Sequence, residues 1–376
     1  MIYLWTLVIS IIIAYLIPKN LYIRLNKKKK NIAWIICAIP IFMVSSLRYN
    51  VGIDYLNYTN LYYRKAMLGS RTLEPLFSVI IDFANYLSDD AHSLIVIFAF
   101  LFCFFVYKCM YESCCSKEEV LLSITVLFAS GTYFYSLCMI RQMFCCVLFL
   151  FSINYYNNGK YIKTCIFIMV AIFIHNSSIL YALFFIGVFL LQKLSQRINK
   201  NKIRKYLLDL LPIIYILSNV VRDIIAKILL STGSYYKMYF NSIHDAGNIS
   251  YTYLLMSLVP LLLMVISINY QNSESSTNEI DEVTVNRGFT YYCSQWYSCA
   301  LAVLLPVIPN GERLIYMFLP ICIIALPFYY SHTSLSRNKK ELLFTIGILL
   351  MSVLSIRFFV INDALDILPF HWIWNR

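Results

Sequence analysis

Three arginines that lie far apart in the chain, Arg48, Arg141 and Arg313, each stand at the edge of an apolar segment. A planar guanidinium can bind two phosphate oxygens at once, and a charge at the mouth of an apolar helix is costly unless it is paired or functional. Asp54 and His175 occupy similar positions and could accept a proton near neutral pH. This set predicts a site that binds a diphosphate and deprotonates a hydroxyl group, with either residue as the base.

The segment around the first arginine is polar and rich in aromatic side chains. Residues 48–75 include five tyrosines: Tyr49, Tyr55, Tyr58, Tyr62 and Tyr63. Their rings suit the apolar faces of sugars and their hydroxyls can donate hydrogen bonds, although interfacial tyrosines also form aromatic belts. We expect Tyr55, Tyr58 and Tyr316 to contact sugar or phosphate. Gly52 would let the backbone turn tightly beside the ligand.

The composition places these residues in a membrane protein. The 376 residues are 60% hydrophobic and 13% charged, whereas soluble domains carry about 25% charged residues. The net charge of +12 resides mainly in short loops, which indicates topology signals rather than a nucleic-acid partner. The twelve cysteines form no CxxC pair and no cluster with metal spacing, so we expect neither a metal site nor a cofactor.

The apolar runs predict an all-α polytopic membrane protein, with one integral membrane domain over residues 1–376 and about twelve transmembrane helices. The expected spans are 2–18, 32–47, 91–110, 119–136, 139–156, 161–175, 178–192, 206–221, 250–269, 290–308, 314–331 and 342–361. A shorter apolar segment, 76–87, contains Asp82 and Asn85 and is too short to cross about 30 Å of hydrocarbon. It predicts a re-entrant or interfacial helix.

Basic loops set the orientation. If 76–87 does not cross, the basic loops 18–31, 193–205 and 337–340 all lie on one side, which the positive-inside rule makes cytoplasmic. Residues 271–288 then form a flexible cytoplasmic loop that is acidic, but acidic residues influence orientation little. Both termini and the loop 48–90, which includes the re-entrant segment, are expected outside.

This topology brings polar residues from distant parts of the chain to the outer face. They include the Arg141–Gln142 pair, the turn from His175 to Ser178, the loop 222–249 with Arg222, and Arg313. The prediction is an extracytoplasmic site built from several loops. A lone arginine could still be an interfacial anchor, and His175 could cap a helix.

The sequence RYNVGIDYLNY resembles the R-x-x-x-G-x-D-Y-x-x-Y signature of the EpsG family, which is similar to Wzy-type O-antigen and capsule polymerases. The resemblance continues in order over residues 1–330. Its further elements are Glu74-Pro75, Arg141-Gln142, the turn Ile174-His175-Asn176-Ser177-Ser178 and Arg313-x-x-Tyr316. Ile53 and Ile174 depart from the family's usual Thr and Phe.

The resemblance implies an exopolysaccharide polymerase in the bacterial cytoplasmic membrane. It would join oligosaccharide repeat units carried on undecaprenyl diphosphate, as a metal-independent glycosyltransferase with a GT-C-like fold. Arg48, Arg141 and Arg313 would bind the diphosphate, and Gln142, Ser178 and Arg222 would contact substrate. Partners would be the lipid bilayer, a chain-length regulator and a flippase.

Three other functions remain open from the sequence. A flippase for the same lipid-linked sugar would favour internal repeats and mid-membrane polar groups, which are not apparent here. A membrane acyltransferase would need its donor from the cytoplasm, opposite the expected face of His175. A glycan ligase differs from a polymerase only in its acceptor, and only the resemblance favours a polymerase over it.

Overall fold

The computed structural model describes residues 1–17, 27–68, 73–231, 251–274, 282–305 and 311–375. At 27–32, 66–68, 269–274 and most of 219–231 it describes the backbone alone. Across these ranges the chain is helical and contains no β-strand, apart from an isolated bridge between Arg48 and Trp372. The all-α prediction is confirmed for the described residues.

Sixteen α-helices occupy these ranges. In chain order they are α1 (Ile2–Leu16), α2 (Lys27–Ser46), α3 (Tyr55–Leu68), α4 (Pro75–Leu87), α5 (His92–Ser113), α6 (Lys117–Ala129), α7 (Thr132–Cys138), α8 (Ile140–Asn157), α9 (Tyr161–Ile174), α10 (Ile179–Ser195), α11 (Lys200–Ser231), α12 (Tyr251–Glu274), α13 (Glu282–Val303), α14 (Gly311–Phe318), α15 (Cys322–His332) and α16 (Arg337–Ser355). Short 3₁₀ turns lie at Asn176–Ser178, Leu319–Ile321 and Ile373–Asn375, and a π-helical turn spans Ile356–Ile361.

The core is centred on α8, which packs against α5, α9, α13 and α14. Its side chains from Met143 to Ile153 are buried without interruption. A helix that is hydrophobic on all faces belongs inside a bundle. The polar residues at the start of α8 are therefore held in a fixed position by the surrounding helices.

Five helical segments in the described ranges are long and apolar enough to cross a membrane. They are His92–Ser113, Asn176–Ser195, Tyr251–Ile268, Gly311–His332 and Arg337–Ile361. A sixth span results if α6 and α7, which meet at 53°, count as one. The structure thus supports a multi-pass membrane protein but does not confirm about twelve spans, because several apolar helices are short, among them α1, α4 and α9.

Three of the segments expected to be loops are partly helical. In the segment 48–90, residues Tyr55–Leu68 form helix α3 in addition to the short helix α4. Helix α11 continues to Ser231, inside the segment 222–249, and the remainder of that segment lies outside the described residues. Helix α12 ends at Glu274 and helix α13 begins at Glu282. Of the expected loop 271–288, residues 275–281 lie between the two helices and are not among the described residues. The 13 residues of α4 rise about 20 Å, which suits a segment that does not cross.

Backbone pairing joins the loop after α2 to the C-terminal segment. The amides of Tyr49, Gly52 and Ile53 donate to the carbonyls of His371, Asp366 and Leu365, at 2.8, 2.8 and 3.0 Å. The amide of Ile373 donates to the Leu47 carbonyl at 2.8 Å. Residues 47–53, which begin the predicted signature, are thereby fixed by residues more than 300 positions later.

Gly52 makes this pairing possible. Its φ is +99°, and a Cβ built there would lie 2.8 Å from the Leu137 carbonyl oxygen and 3.0 Å from the Cys138 Sγ. The backbone conformation and the close approach both require glycine. The close contact that requires glycine at position 52 is therefore with the end of α7.

We predict that Gly52→Ala lowers the free energy of unfolding by about 2–4 kcal/mol, because it adds both φ strain and a clash with backbone. Gly159→Ala is the matched control: its φ is +70°, but nothing lies within 4 Å of the added Cβ. The control should cost only about 1–2 kcal/mol. Unfolding of the two variants in detergent measures the difference, and equal losses would contradict the close packing of Gly52.

Candidate functional site

A carboxylate between an arginine and a histidine forms the centre of the site. Arg141 Nη1 donates to Glu74 Oε2 at 2.8 Å, and His175 Nδ1 lies 3.6 Å from Glu74 Oε1. Glu74 is the residue before α4, Arg141 lies in the first turn of α8, and His175 ends α9. Three helix ends therefore meet at one ion cluster.

Aromatic rings hold the Arg141 guanidinium in place. It lies 4.3 Å from the ring centroid of Phe77 on α4 and 5.8 Å from that of Tyr58 on α3. Contacts of this kind stabilise a partly desolvated cation. The Arg141 side chain keeps 18% of its surface exposed, and its Nε is buried without a hydrogen-bond partner among the described residues. The cation is fixed but still accessible.

A second ion pair adjoins the first. Arg313 Nη2 lies 3.4 Å from Asp54 Oδ2, and Asn57 donates to Asp54 Oδ1 at 3.2 Å. The Gln142 side chain donates to the Arg313 carbonyl, which links α8 to α14. The structure therefore brings Asp54, Arg141, Gln142, His175 and Arg313 into one connected polar network.

Glu74 is the site residue that the candidate set from the sequence missed. Burial alone would raise its pKa, but interaction with His175 and the charge of Arg141 outweigh burial and lower the pKa to about 2. The signal in the sequence was a lone acid before Pro75 at the start of an apolar helix. Since a partly buried arginine needs a counter-ion, that acid could have been identified as its partner.

Other residues that were expected to contact substrate lie beside this network and form separate hydrogen bonds. The Tyr55 hydroxyl pairs with His92 Nδ1 at 3.1 Å, and His92 Nε2 pairs with the Ser46 carbonyl at 2.7 Å. Ser178 is fully buried beside Cys145. The Arg222 side chain lies outside the described part of the structure.

Arg48 is placed differently from the other two arginines. It is 1% exposed, and its guanidinium donates to the Ser45 carbonyl at the end of α2 and, at 2.9 Å, to the Leu137 carbonyl at the end of α7. Helix ends leave carbonyls without partners, and a cation there is favourable. These contacts direct Arg48 to protein carbonyls rather than toward the Glu74 cluster.

Tyr316 also lies apart from the ion cluster. It is fully buried, its ring stacks on Tyr135 with centroids 3.6 Å apart, and its hydroxyl donates to the Ser130 carbonyl at 3.3 Å. In this arrangement Tyr316 packs where α6, α7 and α14 meet. It is one turn along α14 from Arg313, so it helps to orient the helix that carries that arginine.

Comparison with known proteins decides the family. The EpsG family model matches residues 31–372. This chain belongs to the EpsG family. The EpsG proteins are Wzy-like polymerases, so the resemblance inferred from the short motifs is confirmed over nearly the whole chain. The family suggests a role like that of an exopolysaccharide polymerase.

No curated protein and no solved structure gives a significant match. The GT-C-like fold therefore stays a prediction for this EpsG member. Among the described residues, no group of three or more His, Cys, Asp or Glu side chains could hold a metal ion.

The ionised form of Glu74 should stabilise the fold. Because its folded-state pKa of about 2 lies below the usual 4.5, the stabilisation is complete above about pH 4.5 and is lost as the pH falls through about 2. We predict that wild type is more stable than Glu74→Gln at neutral pH, and that the difference shrinks between these pH values. Thermal unfolding in detergent across pH 2–7 measures it.

Glu341→Gln is the control, since Glu341 pairs with Arg337 on the surface at 2.8 Å and both side chains are exposed. Exposed pairs contribute little, so this variant should match wild type at every pH. A Glu74→Gln variant as stable as wild type at pH 7 would contradict the central role of the carboxylate.

We predict that Arg48→Met lowers stability by about 2–4 kcal/mol, because two buried carbonyls lose their donors. Arg337→Met, which alters a side chain that is 86% exposed, should leave stability nearly unchanged. The readouts are unfolding in detergent and polymer formed in cells. If Arg48→Met is as stable as wild type yet makes no polymer, Arg48 belongs in the substrate site instead.

Proposed function

We propose that this protein is a polysaccharide polymerase that transfers undecaprenyl-diphosphate-linked oligosaccharide units onto one another at the outer face of the bacterial cytoplasmic membrane. The observation that carries the proposal is the network that joins Arg141, Glu74 and His175 to Arg313 and Asp54 at one end of the helices. Membership of the EpsG family supports the class of reaction.

The direction of α10 supports the outer face. This span begins at Asn176, beside His175, and ends near a basic segment that contains Lys193, Arg197 and Lys200. Basic segments mark the cytoplasmic side. Helix α9 has the same arrangement, with Lys163 at one end and His175 at the other. These two helices support an extracytoplasmic position for the ion cluster.

In the proposed reaction, the acceptor sugar hydroxyl attacks the anomeric carbon of the donor, and the bond from that carbon to the diphosphate oxygen breaks. The departing lipid diphosphate carries the negative charge that develops. Arg141 and Arg313 are proposed to stabilise it, since fixed cations aimed at developing charge are a major source of catalysis. Arg313, the more exposed of the two, would meet the substrate first.

The proton of the acceptor hydroxyl must pass to a base. We favour His175, because Glu74 Oε1 lies 3.6 Å from its Nδ1, and a closer approach would let Nδ1 donate to the carboxylate while Nε2 accepts the proton. The separation of 3.6 Å is of the kind that shortens when substrate binds. Asp54, the other candidate, is paired with Arg313, and Glu74 itself has too low a pKa to act as base.

In this proposal Arg48, Gly52 and Tyr316 act as positioning residues. Arg48 binds the carbonyl at the end of α7, two residues before the break that precedes α8, and so helps to place Arg141. Gly52 packs against the same helix end. Tyr55 anchors the loop to His92, while Tyr58 and Gln142 hold the two proposed phosphate-binding arginines.

We predict that Arg141→Ala reduces polymer by at least about 100-fold, the loss typical when one stabilising donor is removed. The assay is gel analysis of lipid-linked and surface glycans in a deletion strain complemented with each variant. His175→Ala should lose polymer to a similar extent, whereas Asp54→Asn should retain more of it if His175 is the base.

Arg337→Ala, which alters an exposed arginine that is paired with Glu341, is the control and should restore the full glycan ladder. Immunoblots of membranes show whether each variant is present in equal amount. A normal ladder from Arg141→Ala would contradict the arginine site. An intact ladder in the deletion strain would contradict the polymerase function, and loss of all surface glycan would indicate a flippase.

A further inference from the structure

A polar cavity lies at the other end of α10 from the ion cluster. It has a volume of about 460 Å³ and lies between the α10–α11 connection, α13 and the end of α15. Helix α10 has 17 residues, which at 1.5 Å per residue places its two ends about 26 Å apart. The cavity is thus distinct from the proposed polymerase site.

The described side chains that line this cavity carry a net positive charge. Its lining includes Arg197, Lys200 and Arg204, together with the side-chain amides of Asn199 and Asn201, and no carboxylate is present among the described lining residues. Partial burial lowers the pKa of Lys200, an effect that the nearby Glu282 offsets only in part. Cations gathered in a partly buried concavity repel one another unless an anion is present.

Arg204 has unused hydrogen-bonding capacity. Its guanidinium lies 5.6 Å from the ring centroid of Phe289 and 5.9 Å from that of Tyr292, and its Nη1 donates to Asn201 Oδ1 at 3.0 Å. Its Nε is buried and has no hydrogen-bond partner among the described residues. The aromatic rings hold the cation in place at the cavity wall, as required of a preformed anion site.

The backbone adds to the positive potential. Helix α11 begins at Lys200, and its first-turn amides carry the positive end of the helix dipole. Asn199 Oδ1 accepts one of these amides, that of Asn201, at 2.8 Å. The amides of Lys202 and Ile203 donate to the Asn199 carbonyl, so the helix contributes its dipole, and the arginine and lysine side chains would donate directly to a phosphate group.

We propose that this cavity binds a phosphate-bearing group at the face of the protein opposite the polymerase site. The group has two possible sources with the same chemistry, a soluble phosphorylated molecule and the headgroup of an anionic phospholipid. The site is carried by the side chains at the α10–α11 connection and does not depend on the reaction at the other end of the bundle.

The test uses the full chain in neutral detergent and in nanodiscs. Binding of inorganic pyrophosphate is measured by equilibrium dialysis, and retention of phosphatidylglycerol from mixed phosphatidylcholine nanodiscs by native mass spectrometry. Arg197→Gln/Lys200→Gln removes two cations at the rim of the cavity. Arg337→Gln/Lys339→Gln is matched in residue types and net charge, and both of its side chains are exposed on a different basic segment.

The rim variant should bind one of the two probes at least about tenfold more weakly than wild type, since each charged hydrogen bond contributes about 1.5–3 kcal/mol. The control variant should change that affinity less than about twofold. Loss of a pyrophosphate site identifies a soluble ligand, and loss of phosphatidylglycerol alone identifies a lipid headgroup. If the rim variant binds both probes as tightly as the control variant does, the proposal is overturned. Binding of pyrophosphate at Arg141 and Arg313 should be the same in wild type and in the rim variant, which distinguishes it from binding in the cavity.

Discussion

Buried helix ends must find donors for their last carbonyls, and side chains in the interior of this protein meet that requirement. Arg48 donates to the ends of α2 and α7 together. His92 pairs with the Ser46 carbonyl, also at the end of α2. These side chains allow several short helices to replace a few long ones, so that helix ends can meet in the interior.

The same arrangement explains how an arginine can stand at the start of α8. A cation near a helix N-terminus opposes the helix dipole, and partial burial adds a desolvation cost. The Glu74 carboxylate, 2.8 Å from Arg141 Nη1, offsets both effects, and the rings of Phe77 and Tyr58 fix the guanidinium in place. Such a cation is held by the fold before any substrate arrives, which is the condition for electrostatic stabilisation of a leaving diphosphate.

Sequence patterns predicted the helical class, the family and most members of the polar network, because residue type and position at the edge of an apolar run are local properties. They could not separate Arg48 from Arg141, since both stand at such edges and only long-range packing determines which one is enclosed. The stacking of Tyr316 on Tyr135 was not predictable for the same reason, because it joins distant segments. The span count was less predictable, because the bend between α6 and α7 at Ser130 and Gly131 divides the expected span 119–136 without a change in composition.

The pairing of residues 47–53 with residues 365–373 has a consequence for biosynthesis. During translation, the loop that leads to Asp54 enters the membrane early but lacks its backbone partners until residue 373 has left the ribosome. The first and last segments of the chain must then find each other across a bundle that is already inserted. This pairing is therefore completed late, and in a nascent chain arrested before this segment, residues 47–53 lack these backbone hydrogen bonds.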